Sequence, residues 1–280
     1  TYVLNENLVI AGYTITDIET DNAGTWILTA DSNSAGSVAF KSVDDGLTWV
    51  NMNINTPTND NELKQVIYHK DEATPENSRW VLVYVGQSGS HNDGGIFYSN
   101  DAVNWTQVAL GLGFITPFIM PPQDNRNVWV MGYNGYASNA VLYSHLMVSH
   151  DNCVTWKTIG KDVNNWNTDR TVSGLFYADG KHFMTVFASP EATTATDTQV
   201  IEFNVDATGV ENFTIANRYY PRTYDYPRTF SNKKFKSRFG GVTYLGEGFA
   251  TNDGVSFYRV RNGGDKYGYT DIPVSNGTEL

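Results

Sequence analysis

Apolar and polar residues alternate along this chain in short runs broken by turn-forming residues, the period of half-buried β-strands. The first run covers residues 14–20, and a polar turn at 21–24 leads to Trp26-Ile27-Leu28-Thr29-Ala30. A stretch rich in Ser, Asn and Gly follows, then strands over 38–41 and 49–52. The layout then repeats. A second unit predicts strands over 63–69, 80–84, 95–98 and 105–108, and a third over 114–120, 128–133, 146–148 and 156–159. A fourth predicts 172–177, 182–187, 200–203 and 213–216. In a fifth, strands are expected over 239–244, 249–251, 255–260 and 269–274.

Between the third and fourth strands of the first unit lies Ser42-Val43-Asp44-Asp45-Gly46-Leu47-Thr48-Trp49, a Ser-x-Asp-x-Gly-x-Thr-Trp pattern. Ser149-His150-Asp151-Asn152-Cys153-Val154-Thr155-Trp156 is a second copy, and Ser99-Asn100-Asp101-Ala102-Val103-Asn104-Trp105 a third, one residue shorter. The residue types are those of a hairpin turn. Asp accepts hydrogen bonds from backbone N–H groups inside the turn, Gly supplies positive φ, and Ser starts the bend. The Trp is expected to pack beneath the turn and close it. Aspartates 44, 101 and 151 stand 57 and 50 residues apart, and a decayed copy at Asn204-Val205-Asp206 keeps the register. For the fifth unit the decayed turn is placed near Asp265, with Thr251-Asn252-Asp253-Gly254 as the rival position.

These residues resemble the Asp-box (BNR) repeat, which in that family joins the third and fourth strands of a β-propeller blade. The resemblance implies an all-β fold: a five-bladed β-propeller, one domain over residues 1–280. Residues 7–12 form an extra apolar run that would pair with the last blade to close the ring, since a propeller leaves no bare sheet edge. If that run belongs to a further blade, the ring has six. The resemblance speaks for architecture and says little of function, because Asp boxes occur in sialidases, other glycosidases, lectins, receptors and assembly factors. Ser42, Asp44, Gly46, Trp49, Ser99, Asp101, Trp105, Ser149, Asp151 and Trp156 are accordingly read as structural. The Trp residues that open the second strands, Trp26, Trp80 and Trp129, are read as packing between blades.

Composition narrows the picture. With 280 residues, 40% apolar and 14% aromatic, the chain can bury a large core, and disorder is excluded. A net charge of −11 argues against general binding to nucleic acid or to anionic membrane. Cys153 is the only cysteine, so there is neither an intrachain disulfide nor a cysteine-based metal site. No apolar run has the ~18–20 residues of a membrane-spanning helix. The start at Thr1 suggests a processed protein or a piece of a longer one.

One segment breaks the period. Residues 214–236 read as an inserted loop between blades, with Tyr220-Pro221-Arg222-Thr223-Tyr224 followed by Tyr226-Pro227-Arg228-Thr229-Phe230. Seven of the chain's 19 basic residues fall between Arg218 and Arg238. Rigid aromatic area and planar cations are what interfaces use. Arg218, Tyr219, Tyr220, Arg222, Tyr224, Tyr226 and Arg228 are therefore the candidate contacts to a partner chain or ligand.

Catalysis finds less support. Sialidases use an arginine triad, the first member in an Arg-Ile-Pro motif before the first box, and here no arginine precedes Arg79. Other propeller glycosidases need two carboxylates converging from inner strands. The inner strands offer Asp17 and Glu19, which share one face of one strand; these read either as a catalytic pair or as the lining of a wet channel. The histidines, His69, His91, His145, His150 and His182, show no metal-ligand spacing apart from the His145/His150 pair near a turn. No phosphate loop, dinucleotide fingerprint or nucleophile elbow is present. The expectation is a cofactor-free, metal-free binding or assembly module, extracellular or part of a virion such as a phage tail or receptor-binding component. Its expected partner is another protein chain or a glycan, without nucleic acid and without membrane insertion. The alternative is a glycoside hydrolase or a lectin with its site at the channel mouth.

Overall fold

The structure is a computed structural model. It describes residues 12–32, 36–57, 62–86, 94–112, 115–123, 127–136, 142–159, 170–178, 180–188, 199–205, 211–217, 237–239, 242–245, 249–251 and 257–259. The alternating runs form strands grouped into five four-stranded antiparallel sheets, each a meander in which every strand pairs with the next along the chain. This all-β arrangement is consistent with propeller blades.

The first sheet is β1 (Thr14–Thr20), β2 (Trp26–Ser32), β3 (Gly36–Ser42) and β4 (Val50–Asn51). The second is β5 (Glu62–His69), β6 (Arg79–Val85), β7 (Gly94–Ser99) and β8 (Thr106–Leu112). The third is β9 (Ile115–Met120), β10 (Trp129–Tyr136), β11 (Leu142–Ser149) and β12 (Lys157–Ile159). The fourth is β13 (Arg170–Ala178), β14 (Lys181–Ala188), β15 (Gln199–Val205) and β16 (Glu211–Asn217). A fifth is made of β17 (Ser237–Phe239), β18 (Val242–Leu245), β19 (Phe249–Thr251) and β20 (Phe257–Arg259).

Two compact units result, Thr1–Ile115 and Thr116–Leu280. In the first, Ile27, Ala39, Leu63, Val66, Trp80, Leu82, Tyr84 and Phe97 form one apolar cluster spanning both sheets. In the second, Val130, Leu146 and Val148 of the third sheet pack with Val172, Tyr177, Met184, Phe203 and Val205 of the fourth. A repeated irregularity marks the first strand of three sheets. The register slips between Ile15 and Asp17, between Leu63 and Gln65, and between Val172 and Gly174. Such a bulge re-aims the side chains around it.

Three sequence expectations are corrected. Trp49, Trp105 and Trp156 do not open the fourth strands; each stands one position ahead of β4, β8 or β12 and belongs to the turn. In the fifth sheet, residues 239–244 are not one strand. β17 and β18 pair with Phe239 opposite Val242, so the expected second strand becomes the third and the expected third becomes the fourth. The sequence between those two strands is Gly240-Gly241, the pair a two-residue hairpin favours, and alternation on either side of it masked the break. The rival turn position at Asn252-Asp253-Gly254 falls in the sequence between β19 and β20, and both it and Asp265 lie outside the described residues. Finally, residues 214–217 of the expected loop lie in β16. Residues 7–11, 206, 218–236 and 265, and the expected strand at 269–274, lie outside the described residues.

Candidate functional site

The three Ser-x-Asp turns share one hydrogen-bond plan. In the first, Ser42 Oγ donates to Asp44 Oδ1 at 2.7 Å and accepts from the Gly46 N–H at 2.8 Å. The Thr48 N–H donates to Asp44 Oδ1 at 2.9 Å, and its hydroxyl to Oδ2 at 2.6 Å. The indole N–H of Trp49 closes the loop on the Gly46 carbonyl at 3.0 Å. In the third turn Ser149, Asp151 and Thr155 repeat these contacts, and Trp156 Nε1 donates to the Cys153 carbonyl at 3.2 Å. Gly46 has φ +84° and Cys153, its counterpart, φ +73°. Cys153 is fully buried in that left-handed position, which fits the reading of an inert thiol.

The short second turn keeps the aspartate and changes the closure. Asp101 accepts from the N–H groups of Val103 and Asn104, both at 2.8 Å, and from the Asn104 side-chain amide at 2.8 Å. Its Trp105 Nε1 is buried without a hydrogen-bond partner. The carbonyl three residues earlier, that of Ala102, takes the Lys41 ammonium at 3.1 Å instead. A lysine from the neighbouring sheet thus occupies the acceptor that the indole uses in the other two turns.

These donors set the carboxylate chemistry. The Thr48 hydroxyl, the Thr48 N–H and the Ser42 hydroxyl hold Asp44 at about 2 against an ordinary 3.8. The backbone and side chain of Asn104, with the Val103 N–H, hold Asp101 well below the carboxylate range. Burial pushes Asp151 up, but donation from Thr155 and Ser149 outweighs it and the net direction is down. Because the folded values lie below those of the unfolded chain, the ionised turns stabilise the fold above pH 4 or so. That contribution disappears as pH falls from about 4 through about 2. A thermal-melt series should therefore show stability flat above about pH 5 and falling steeply below about pH 4, with the loss reduced in Asp44→Asn.

The second-strand tryptophans do more than fill space. Trp26 Nε1 points to Asp45 Oδ1 at 3.4 Å, and Trp129 Nε1 donates to Asn152 Oδ1 at 3.0 Å. Asp45 and Asn152 both carry φ +57° and hold the same place in their turns. The indole opening the second strand is thereby tied to the turn that follows the third. The matching places of Trp26 and Trp129 ahead of copies of one motif were the available signal.

Asp17 and Glu19 were the candidate catalytic pair. The structure joins both to the backbone of the next sheet. Asp17 Oδ2 accepts from the Val66 N–H at 3.0 Å and Oδ1 from the Ile18 N–H at 3.0 Å. Glu19 Oε2 accepts from the Tyr68 N–H at 3.5 Å and Oε1 from Thr20 at 3.2 Å. Beside them the bulge residue Thr16 donates to the Leu63 carbonyl at 3.0 Å. The three polar side chains lace β1 to β5. Lys64, at the matching bulge, reaches Asp31 of the first sheet at 3.3 Å and also pairs with Glu62. Asp31 in turn accepts from Ser37 Oγ.

Next to this network lies a polar cleft of ≈ 230 Å³, lined by Gly36, Ser37, Val38, Asn51, Asn53, Ile54, Asn55 and Thr56. Among the described residues no group of three His, Cys, Asp or Glu side chains can hold a metal ion. His182 is a core residue, packed edge-on to Tyr177 at 4.9 Å and against Phe203 at 5.6 Å. Burial pushes His69 down, with Asp71 opposing. Arg218, Tyr219, Tyr220, Arg222, Tyr224, Tyr226 and Arg228 lie outside the described residues, as does His91.

No protein-family model matches the chain, and no curated protein matches it in sequence. Three solved structures illustrate what it is similar to. YCF48 bound to a D1 peptide is 12% identical, over 92% of this chain and 70% of its own, with a TM-score of 0.47. A putative exo-β-1,3-galactanase from Bifidobacterium bifidum is 10% identical over 73% and 72%, at 0.44. The Trypanosoma rangeli sialidase is 13% identical over 75% of this chain and 38% of its own, at 0.42. The likeness is to β-propeller proteins and is distant. The class defined by the strands themselves is an all-β protein of four-stranded antiparallel sheets.

Proposed function

We propose that the chain is a five-bladed β-propeller of the Asp-box kind that serves as a non-enzymatic binding or assembly module of a virion or an extracellular surface. Its contacts to a partner chain or glycan run through the arginine- and tyrosine-rich stretch from Arg218 to Arg228. The observation that carries this reading is the use made of Asp17 and Glu19. A retaining or inverting hydrolase needs carboxylates free to face a sugar, and here both are drawn onto the backbone of β5. The turn aspartates are spent in the same way on their own turns.

A panel of chromogenic glycosides tests the non-enzymatic half. The expected result is no turnover, with Asp17→Ala losing about 1–2 kcal/mol of stability through the missing strand contact. Turnover that vanishes in Asp17→Asn would overturn the reading. Deleting residues 218–236 tests the other half: association with the partner should be lost while the melting transition remains. Unchanged association would remove that stretch from the account.

A lectin is the second reading, favoured by the asparagine-lined cleft. Side-chain amides both donate and accept, which suits sugar hydroxyls. Glycan-array binding that is lost in Asn55→Ala, without turnover, is its signature.

A further inference from the structure

Six large apolar side chains stand exposed among the described residues, and five of them lie in or directly beside the three Ser-x-Asp turns. Leu47, Val103 and Val154 hold one position, two residues before the turn tryptophan, with 78%, 67% and 46% of their surfaces open. Val43 and Val50 flank the first turn and are as open. A single exposed aliphatic side chain is ordinary. Recurrence at one place is not explained by the turn, which uses only the backbone there: the N–H groups of Leu47 and Val154 donate to the backbone carbonyls of Asp44 and Asp151, and that of Val103 to the Asp101 carboxylate. A serine would serve the turn equally well.

The first two turns are linked by a hydrogen bond. Lys41, directly ahead of Ser42, reaches across to the carbonyl of Ala102 in the second turn. Val43, Leu47, Val50 and Val103 lie in or beside these two linked turns, as do Asp44, Asp45 and Asp101. Neither turn contains a lysine or arginine; among the described residues the cations that touch them are Lys41, on the Ala102 carbonyl, and Arg79, on Asn100. Three carboxylates against these two cations leave the edge apolar and negative together.

We propose that this edge is a docking surface for a basic amphipathic segment of a partner protein, whose aliphatic side chains cover Leu47 and Val103 while its lysines or arginines face Asp44, Asp45 and Asp101. Complementary charge sets which partners approach, and the apolar contacts hold them. The proposal does not depend on the arginine- and tyrosine-rich stretch.

The test uses the full chain and a fluorescent peptide built of repeated Leu-Lys-Lys-Leu, followed by anisotropy. Saturable binding is expected, weakening with salt. The double variant Leu47→Ser, Val103→Ser should weaken it roughly tenfold or more. Ile18→Ser, which removes the one large exposed apolar side chain away from the turns among the described residues, should leave it unchanged. A Ser-Lys-Lys-Ser peptide and a Leu-Glu-Glu-Leu peptide should each bind at least about tenfold more weakly than the first. Three results would overturn the proposal: no binding of the leucine–lysine peptide, equal binding by the serine variant, or equal binding of either control peptide. Sedimentation separates the remaining occupant. Self-association of the chain that the serine variant abolishes would assign the edge to a second copy, and the partner-segment proposal would fall.

Discussion

Gly95→Ala is expected to be among the most damaging single substitutions in the chain, at about 3 kcal/mol or more. A Cβ at Gly95 would lie 2.2 Å from the Val108 carbonyl oxygen and 2.8 Å from Tyr84 Oη. Neither neighbour can yield cheaply. Val108 is backbone of β8, paired with β7 immediately beside a register shift at Gly94/Gly95. Tyr84 is fully buried, and its hydroxyl is held by Gln107 Nε2 at 2.8 Å. Relief requires β8 to part from β7, so amides of residues 106–112 should exchange faster along with the fall in stability. Gly46→Ala is the informative contrast. Its Cβ would meet only Trp49 Cζ2 at 3.7 Å, so the penalty is the positive φ alone, roughly 1 kcal/mol. If the two substitutions destabilise equally, the close approach at Gly95 is not as described.

Trp129→Ala is the second large effect, expected at about 3–5 kcal/mol. The indole is fully buried, and its N–H is bound to Asn152 at 3.0 Å. Truncation removes the largest fully buried side chain among the described residues and unties β10 from the turn that follows β11. The melting temperature should fall by roughly 10 °C. Trp129→Phe keeps most of the apolar volume and loses the hydrogen bond, so its smaller loss measures the tie to Asn152 separately. A Trp129→Phe as damaging as the alanine would assign most of the effect to that bond.

Both effects fall where sequence reading was partly blind. Alternation and the Trp residues at 26, 80 and 129 placed the second strands correctly, and the turn motif placed the reversal after the third. Local pattern carried that much because strand period, turn chemistry and hydrophobic spacing all act within a few residues. The partners of Asp17 and Glu19 lie 49 residues along the chain, in an adjacent strand. Nothing local distinguishes a carboxylate that faces a channel from one that caps a neighbour's N–H. The exchange at the second turn, where Lys41 takes the carbonyl and Trp105 is left out, depends on a residue 61 positions away. The fifth sheet failed differently: alternation on either side of Gly240-Gly241 made two paired strands look like one.

The central claim is that one aspartate clasps each repeated turn, held as an anion by donors inside that turn. A carbon-detected NMR titration of the side-chain carboxyls tests it most directly. The prediction is that Asp44, Asp101 and Asp151 all titrate below 3.8, Asp44 near about 2. Any of the three titrating at or above 3.8 in the folded protein would contradict it.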